Sequence, residues 1–268
     1  MENIPMKRAL ALLLLLLLVP AGCRGREAAE ELPPPSPAEE PSPPPVKSPP
    51  IPKLPLQPPA VPDPEPTPEE PDTMTVLLEE SGWAAEDIPG DQLIIVQASG
   101  NEAQLWAYGL GEGGGWEPFL EEISGHVGKN GVTSAKAEGD SCTPAGLYGL
   151  PLAFGVEADP GALLPYRRVS AESYWVDDPA SQFYNQWVEG TAEQDWSSAE
   201  HLADYPEQYA YAALIDYNTG PVAAGAGSAI FLHCGSRATA GCVSIPRETM
   251  VELLLWLDPA ADPAILIF

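Results

Sequence analysis

The chain has 268 residues, 39 acidic against 12 basic side chains, a formal net charge of −27, and 33 prolines. Nineteen prolines fall between Pro33 and Pro71, and none of the 21 aromatic residues precedes residue 74. A Pro/Glu-rich stretch without aromatics has too little apolar surface to offset its ordering entropy, so the sequence predicts one folded domain at 74–268. With 28 acids and 6 bases from Met74 onward, that domain has neither the basic stripe a nucleic-acid binder needs nor a polybasic membrane face.

Taken from the N-terminus, Lys7 and Arg8 precede an apolar run of eleven residues, Ala9 to Val19. That run is too short to span a hydrocarbon core of roughly 30 Å, and it reads as the signal peptide of an exported protein, residues 1–22. Leu18-Val-Pro-Ala-Gly-Cys23 then resembles a bacterial lipobox, with Pro20 as a departure. On this reading Cys23 is lipidated and anchors the chain to the membrane; in ordinary signal cleavage Cys23 is incidental. Residues 23–73 form a proline-rich tether reaching at most about 150 Å at about 3.1 Å per residue, or alternatively a ligand for proline-binding modules.

Within the domain the apolar run Leu93–Gln97 predicts a strand, and alternation over Ala103–Tyr108 predicts its hairpin partner across Ser99-Gly100-Asn101. Further strands are expected at Tyr211–Asp216, Ala229–His233 and Ala264–Phe268. Two helices are expected: a short one opened by the capping-box pattern Ser197-Ser-Ala-Glu200 and running through His201, and one over Arg247–Leu257 after Pro246.

The segment that carries chemistry is Gly227-Ser-Ala-Ile-Phe-Leu-His233-Cys234-Gly235-Ser236-Arg237-Ala-Thr239-Ala-Gly241-Cys242-Val243. A strand delivers His233, and a loop of small residues leads to Cys242. An imidazole that accepts the thiol proton turns Cys242 into a nucleophile, while the backbone N–H groups of Gly241 and Cys242 are candidate donors to an oxyanion. Two other readings stay open. Zinc on His233, Cys234 and Cys242 lacks the Cys-x₂₋₄-Cys pairing of structural sites, and a buried His beside an inert Cys has no chemistry at all.

This segment resembles the active-site motif of the L,D-transpeptidase (YkuD-domain) family: Phe231-Leu-His233 matches its start and Thr239-Ala-Gly241-Cys242-Val243 its end. The likeness continues through His126-Val-Gly128-Lys129-Asn-Gly131, Glu138-Gly-Asp140 with Thr143-Pro-Ala-Gly146, Tyr174-Trp175-Val-Asp177-Asp-Pro179, Tyr184-Asn185, Ala199-Glu-His201-Leu202 and Ile215-Asp-Tyr-Asn218. Together these blocks span roughly residues 91–268. The chain departs from the family in having Ala240 where many members have His, and Ser244 where many have Arg.

The resemblance implies a mainly β fold, a mixed and largely antiparallel sandwich or barrel with a few peripheral α-helices. It implies peptidoglycan L,D-transpeptidation without cofactor or metal: Cys242 attacks a stem tetrapeptide, His233 is acid and base, and an amine resolves the thioester into a 3→3 cross-link. Ser236 or a nearby backbone carbonyl would orient the imidazole. Arg237 is the substitute for the missing Arg as a carboxylate contact, or else it pairs with a surface acid. Tyr184, Asn185 and His201 are further candidate substrate contacts. Water as acceptor would make the protein an L,D-carboxypeptidase, and loss of turnover would make it a wall-binding lipoprotein. The protein would act as a monomer at the extracytoplasmic face of the membrane, toward the wall, with Cys142 and Cys234 a possible disulfide pair.

Overall fold

The computed structural model describes residues 72–268; the expected signal peptide, Cys23 and all but the last two residues of the expected tether lie outside the described residues. Helix α1 (Thr73–Ser81) opens the domain. Asp72 accepts a hydrogen bond from the Thr75 N–H at 3.0 Å, and Gly82 ends the helix in the left-handed region. Met74, Leu77 and Leu78 recur at helical spacing and are buried.

β1 (Gln92–Ser99) and β2 (Glu102–Leu110) form the expected hairpin, followed by the long β3 (Trp116–His126). Short strands come next: β4 (Val132–Thr133), β5 (Thr143–Pro144), β6 (Gly146–Gly149), β7 (Ala153–Gly155), β8 (Tyr166–Arg168), β9 (Ser173–Val176), β10 (Trp187–Glu189) and β11 (Ala199–His201). The chain ends with β12 (Ala212–Leu214), β13 (Phe231–Cys234), β14 (Val243–Ile245), α2 (Arg247–Trp256) and β15 (Ala264–Ile267).

The fold is mainly β. Ten strands make one mixed sheet in the order β6-β15-β1-β2-β3-β14-β13-β12-β7-β8; β10-β9-β11 form a second sheet and β4-β5 a third. Within the large sheet only β15–β1, β14–β13 and β7–β8 pair in parallel.

Strand alternation divides the core. Ile94 and Val96 point with Leu105, Ile123, Leu232, Val243 and Ile245 toward Met250, Leu253 and Leu254 of α2. Leu93 and Ile95 point the other way, with Trp106 and Tyr108, against α1. Both faces of β1 are covered, which explains its unbroken apolar run. On that second face, farther along the sheet, Phe231 and Cys242 pack with Phe154, Trp175, Leu202 and Tyr209.

Two expectations need correcting. Residues 199–201 are not helical: they form β11, paired with β9 through Ala199↔Val176, Glu200↔Trp175 and His201↔Tyr174. Ser197 does not cap a helix, because its N–H and hydroxyl both donate to Asp178 Oδ2 at 2.7 Å. A 3₁₀ turn at Leu202–Asp204 follows. The proposed disulfide is absent as well, since Cys142 and Cys234 are both free thiols. Cys234 faces the α2 core and contacts the Tyr211 carbonyl at 3.3 Å, while Cys142 contacts the carbonyls of Asn130 and Asp140.

If α1 is an integral layer of the core, Leu77→Ala should cost about 2–4 kcal/mol by cavity formation, and Asp72→Ala only about 1 kcal/mol by loss of a cap. Urea unfolding of the two variants checks this; equal small effects would mean that α1 is dispensable.

Candidate active site

The site is built by β13, β14 and the loop between them. The two strands pair in parallel, with His233 opposite Ser244 and Leu232 opposite Val243. Leu232, Cys234, Val243 and Ile245 face the α2 core. By alternation, Phe231, His233, Cys242 and Ser244 share the other face. His233 and Cys242 thus lie on one face of the paired strands, and Cys234 is turned away, so these three residues cannot converge on one metal ion.

The loop is fixed by two threonine hydroxyls on the Cys242 carbonyl: Thr239 donates at 2.6 Å and Thr143 at 3.3 Å. The Gly241 N–H donates to Thr239 Oγ1 at 3.1 Å. Of the two expected oxyanion donors, Gly241 is therefore already engaged, which leaves the N–H of Cys242. A side chain at 241 would be tight, because a Cβ there would stand 3.1 Å from the Cys142 carbonyl oxygen and 3.3 Å from Ile230 Cδ1, so these neighbours would have to give by a few tenths of an ångström.

His233 is 7% exposed, and burial lowers the pKa of its imidazole. Its Nδ1–H donates to the Cys234 carbonyl at 2.8 Å. In the neutral ring this leaves Nε2 as the basic end. The orienting acceptor is thus the adjacent backbone carbonyl, not Ser236, whose side chain is exposed. The Tyr209 ring packs edge-on against the imidazole at 5.6 Å.

Cys242 is 8% exposed. Its thiol donates to the Ala229 carbonyl at 3.1 Å and receives the Phe231 N–H at 3.4 Å. Burial, reinforced by the nearby charge of Glu200, pushes its pKa up to about 12. The resting pair is therefore a neutral thiol beside a neutral imidazole. Alkylation of Cys242 by iodoacetamide should be slow at pH 7 and rise about tenfold per pH unit between pH 7 and 9, tracking the thiolate fraction. A rate already level at pH 6–7 would mean a preformed thiolate–imidazolium pair.

The other candidates divide by location. Asn185 is 3% exposed and fully used: Oδ1 accepts from Trp175 Nε1 at 2.9 Å and from the Ala229 N–H at 3.0 Å, while Nδ2 donates to the carbonyls of Tyr217 and Asn218. Its link to Ala229 makes it a positioning residue for the carbonyl that holds the thiol. Tyr184 is also buried, with its hydroxyl donating to Glu138 at 2.5 Å and accepting from the Gly227 N–H at 3.0 Å. His201 stacks on Tyr174, meets the Ala171 carbonyl at 2.8 Å and pairs with Asp204 at 3.0 Å, so its ring pins the surface. Arg237 is exposed in the His–Cys loop and makes no ion pair among the described residues.

Two charged residues near the thiol were not among the sequence candidates. Lys136 is 4% exposed in its side chain, pairs with Asp140 at 2.6 Å, and exerts a positive charge on Cys242. Glu200 acts with the opposite sign. A cleft of about 630 Å³ with Gln97, Gln104, Ser124 and His126 on its walls opens on the same sheet face. His126 stands opposite Ser244, two strand spacings or about 10 Å from His233, so the cleft adjoins the pair without being lined by it.

No family model and no curated protein matches the chain. Among solved structures it is similar to the helical cell shape determining protein Pgp2 from Campylobacter jejuni, at 15% identity and a TM-score of 0.38, over 72% of this chain and 54% of that one. The chain thus spans about half the length of that protein.

Replacing Asn185 with Ala strands four polar partners, the buried Trp175 Nε1 and three half-buried backbone groups, and a buried group left unpaired costs about 1–3 kcal/mol. Thermal unfolding should therefore show a loss of at least about 2 kcal/mol. A loss below about 0.5 kcal/mol would return Asn185 to the list of substrate contacts.

Proposed function

We propose that the chain is a peptidoglycan L,D-transpeptidase, an exported cysteine acyltransferase of the YkuD type held to the membrane through Cys23. The observation that carries the reading is the shared sheet face of Cys242 and His233, with Nδ1 of His233 tied back and Nε2 left as a base. The motif resemblance across roughly residues 91–268 supplies the substrate class.

In the first step the Cys242 thiol gives its proton to His233 Nε2 as sulfur attacks the carbonyl of the third residue of a stem tetrapeptide. The Cys242 N–H receives the developing oxyanion. The C–N bond to the terminal D-Ala breaks, and the imidazolium protonates the departing amine, leaving a thioester. An amine from a second stem then attacks, the new amide forms, and the thiol is regenerated. Arg237 is the proposed carboxylate contact, supported by its freedom from ion pairing beside the His–Cys loop.

The test uses residues 72–268 with disaccharide-tetrapeptide and mass spectrometry. Dimers linked 3→3, absent with Cys242→Ala, are the expected result. Tripeptide alone would make the protein an L,D-carboxypeptidase. Unchanged substrate without any acyl adduct on Cys242 would overturn the acyltransferase reading in favour of a wall-binding protein.

A further inference from the structure

The strand β11, expected from sequence to be helical, places Glu200 against Tyr209 at the edge of the cluster that holds Cys242. The carboxylate is held rather than free, since Tyr209 donates its hydroxyl to Glu200 Oε1 at 2.6 Å. That same tyrosine ring lies against the His233 imidazole at 5.6 Å and packs in one cluster with Cys242. Glu200, Tyr209, His233 and Cys242 thus form a connected set on one side of the sheet, tied together by a hydrogen bond and ring contacts.

Every titratable group that bears on Glu200 is acidic or neutral. Tyr209 and Tyr205 come from the segment after β11, Asp177 from the end of β9, and Cys242 and His233 from the large sheet. Among the described residues no cation pairs with Glu200. Asp177 Oδ1 beside it is buried without any hydrogen-bond partner. Lys136, already paired with Asp140, approaches Gly241, the residue before the thiol, and its charge acts on Cys242 with the opposite sign.

We infer that Glu200 is the group that receives the acceptor substrate as a primary ammonium and takes its first proton, with Asp177 as the second carboxylate of that subsite. The inference rests on the acyltransferase reading and deepens it. Ammonium nitrogen is not nucleophilic, so one proton must leave before attack. That proton passes to Glu200 and later to solvent. The free amine adds to the thioester carbonyl, the C–S bond breaks as the amide forms, and the second nitrogen proton reaches sulfur through His233. Burial raises the Glu200 carboxyl to about 7, which suits a proton acceptor working near neutrality. Water needs no such partner, so Glu200 separates aminolysis from hydrolysis.

The experiment follows the fate of the acyl-enzyme. Wild type and Glu200→Gln are acylated on Cys242 with tetrapeptide, then chased with Nα-acetyl-lysine as the amine probe. Amide and tripeptide products are counted by mass spectrometry. Because the readout is a ratio per acyl-enzyme formed, effects on acylation cancel. The expected result is an amide-to-tripeptide ratio at least tenfold lower in E200Q, with a raised KM for the amine. The wild-type ratio should fall as pH drops through 7, and that dependence should be lost in E200Q. Glu200→Asp should recover part of the ratio, and it replaces E200Q if that variant does not fold. An unchanged ratio and pH dependence would overturn the role of Glu200 while leaving the acyltransferase intact. Failure of wild type to form any acyl adduct would remove the acyltransferase itself, and the inference with it.

Discussion

The parallel pairing of β13 with β14 is the constraint on which the rest of this domain depends. A four-residue strand and a three-residue strand are joined by a loop of only eight residues, with Leu232 opposite Val243 and His233 opposite Ser244. Slipping this register by one residue would exchange the two faces, placing His233 in the α2 core and Leu232 beside the thiol. The register is secured from the core side by Leu232, Val243 and Ile245, all fully buried against Met250, Leu253 and Leu254. The same apolar contacts that stabilise the fold thus position Cys242 and His233.

The loop itself is fixed by polar contacts rather than by burial of apolar surface. Thr143 and Thr239 converge on the Cys242 carbonyl, and the Gly128 N–H donates to Thr143 Oγ1 at 2.8 Å, so three separate segments meet there. On the other side Asn185 holds Ala229, whose carbonyl accepts the thiol hydrogen bond. Unpaired buried polar groups cost about 1–3 kcal/mol each, so such a network favours one loop conformation strongly over its alternatives. A rigidly held thiol in a low-dielectric setting keeps its proton, which agrees with the raised pKa of Cys242 and the lowered one of His233.

Several features were legible because their determinants are local. β1 and β2 were readable from an apolar run and an alternating run around a turn, and α2 from Pro246 and its apolar content. The His233-to-Cys242 segment was readable because strand, small-residue loop and thiol are contiguous. β3 was not recognised: most of it is exposed, so it carries no apolar pattern. The Ser197–Glu200 pattern pointed to a helix, yet pairing with β9 and the hold of Asp178 on Ser197 outweighed a local cap.

The sequence by itself determined the charge balance, the mainly β class, the position of the aromatic-bearing segment after a proline-rich one, and the candidate thiol and imidazole that lie in one short segment. Each of these follows from composition or from neighbours along the chain. Only the tertiary structure decided what surrounds that pair. Tyr209 reaches Glu200 from nine residues away, Asn185 supports Ala229 from 44 residues away, and Thr143 meets Cys242 from 99 residues away. Such contacts depend on how strands are ordered across the sheets, and strand order is set by the shared burial of faces, which no local pattern records.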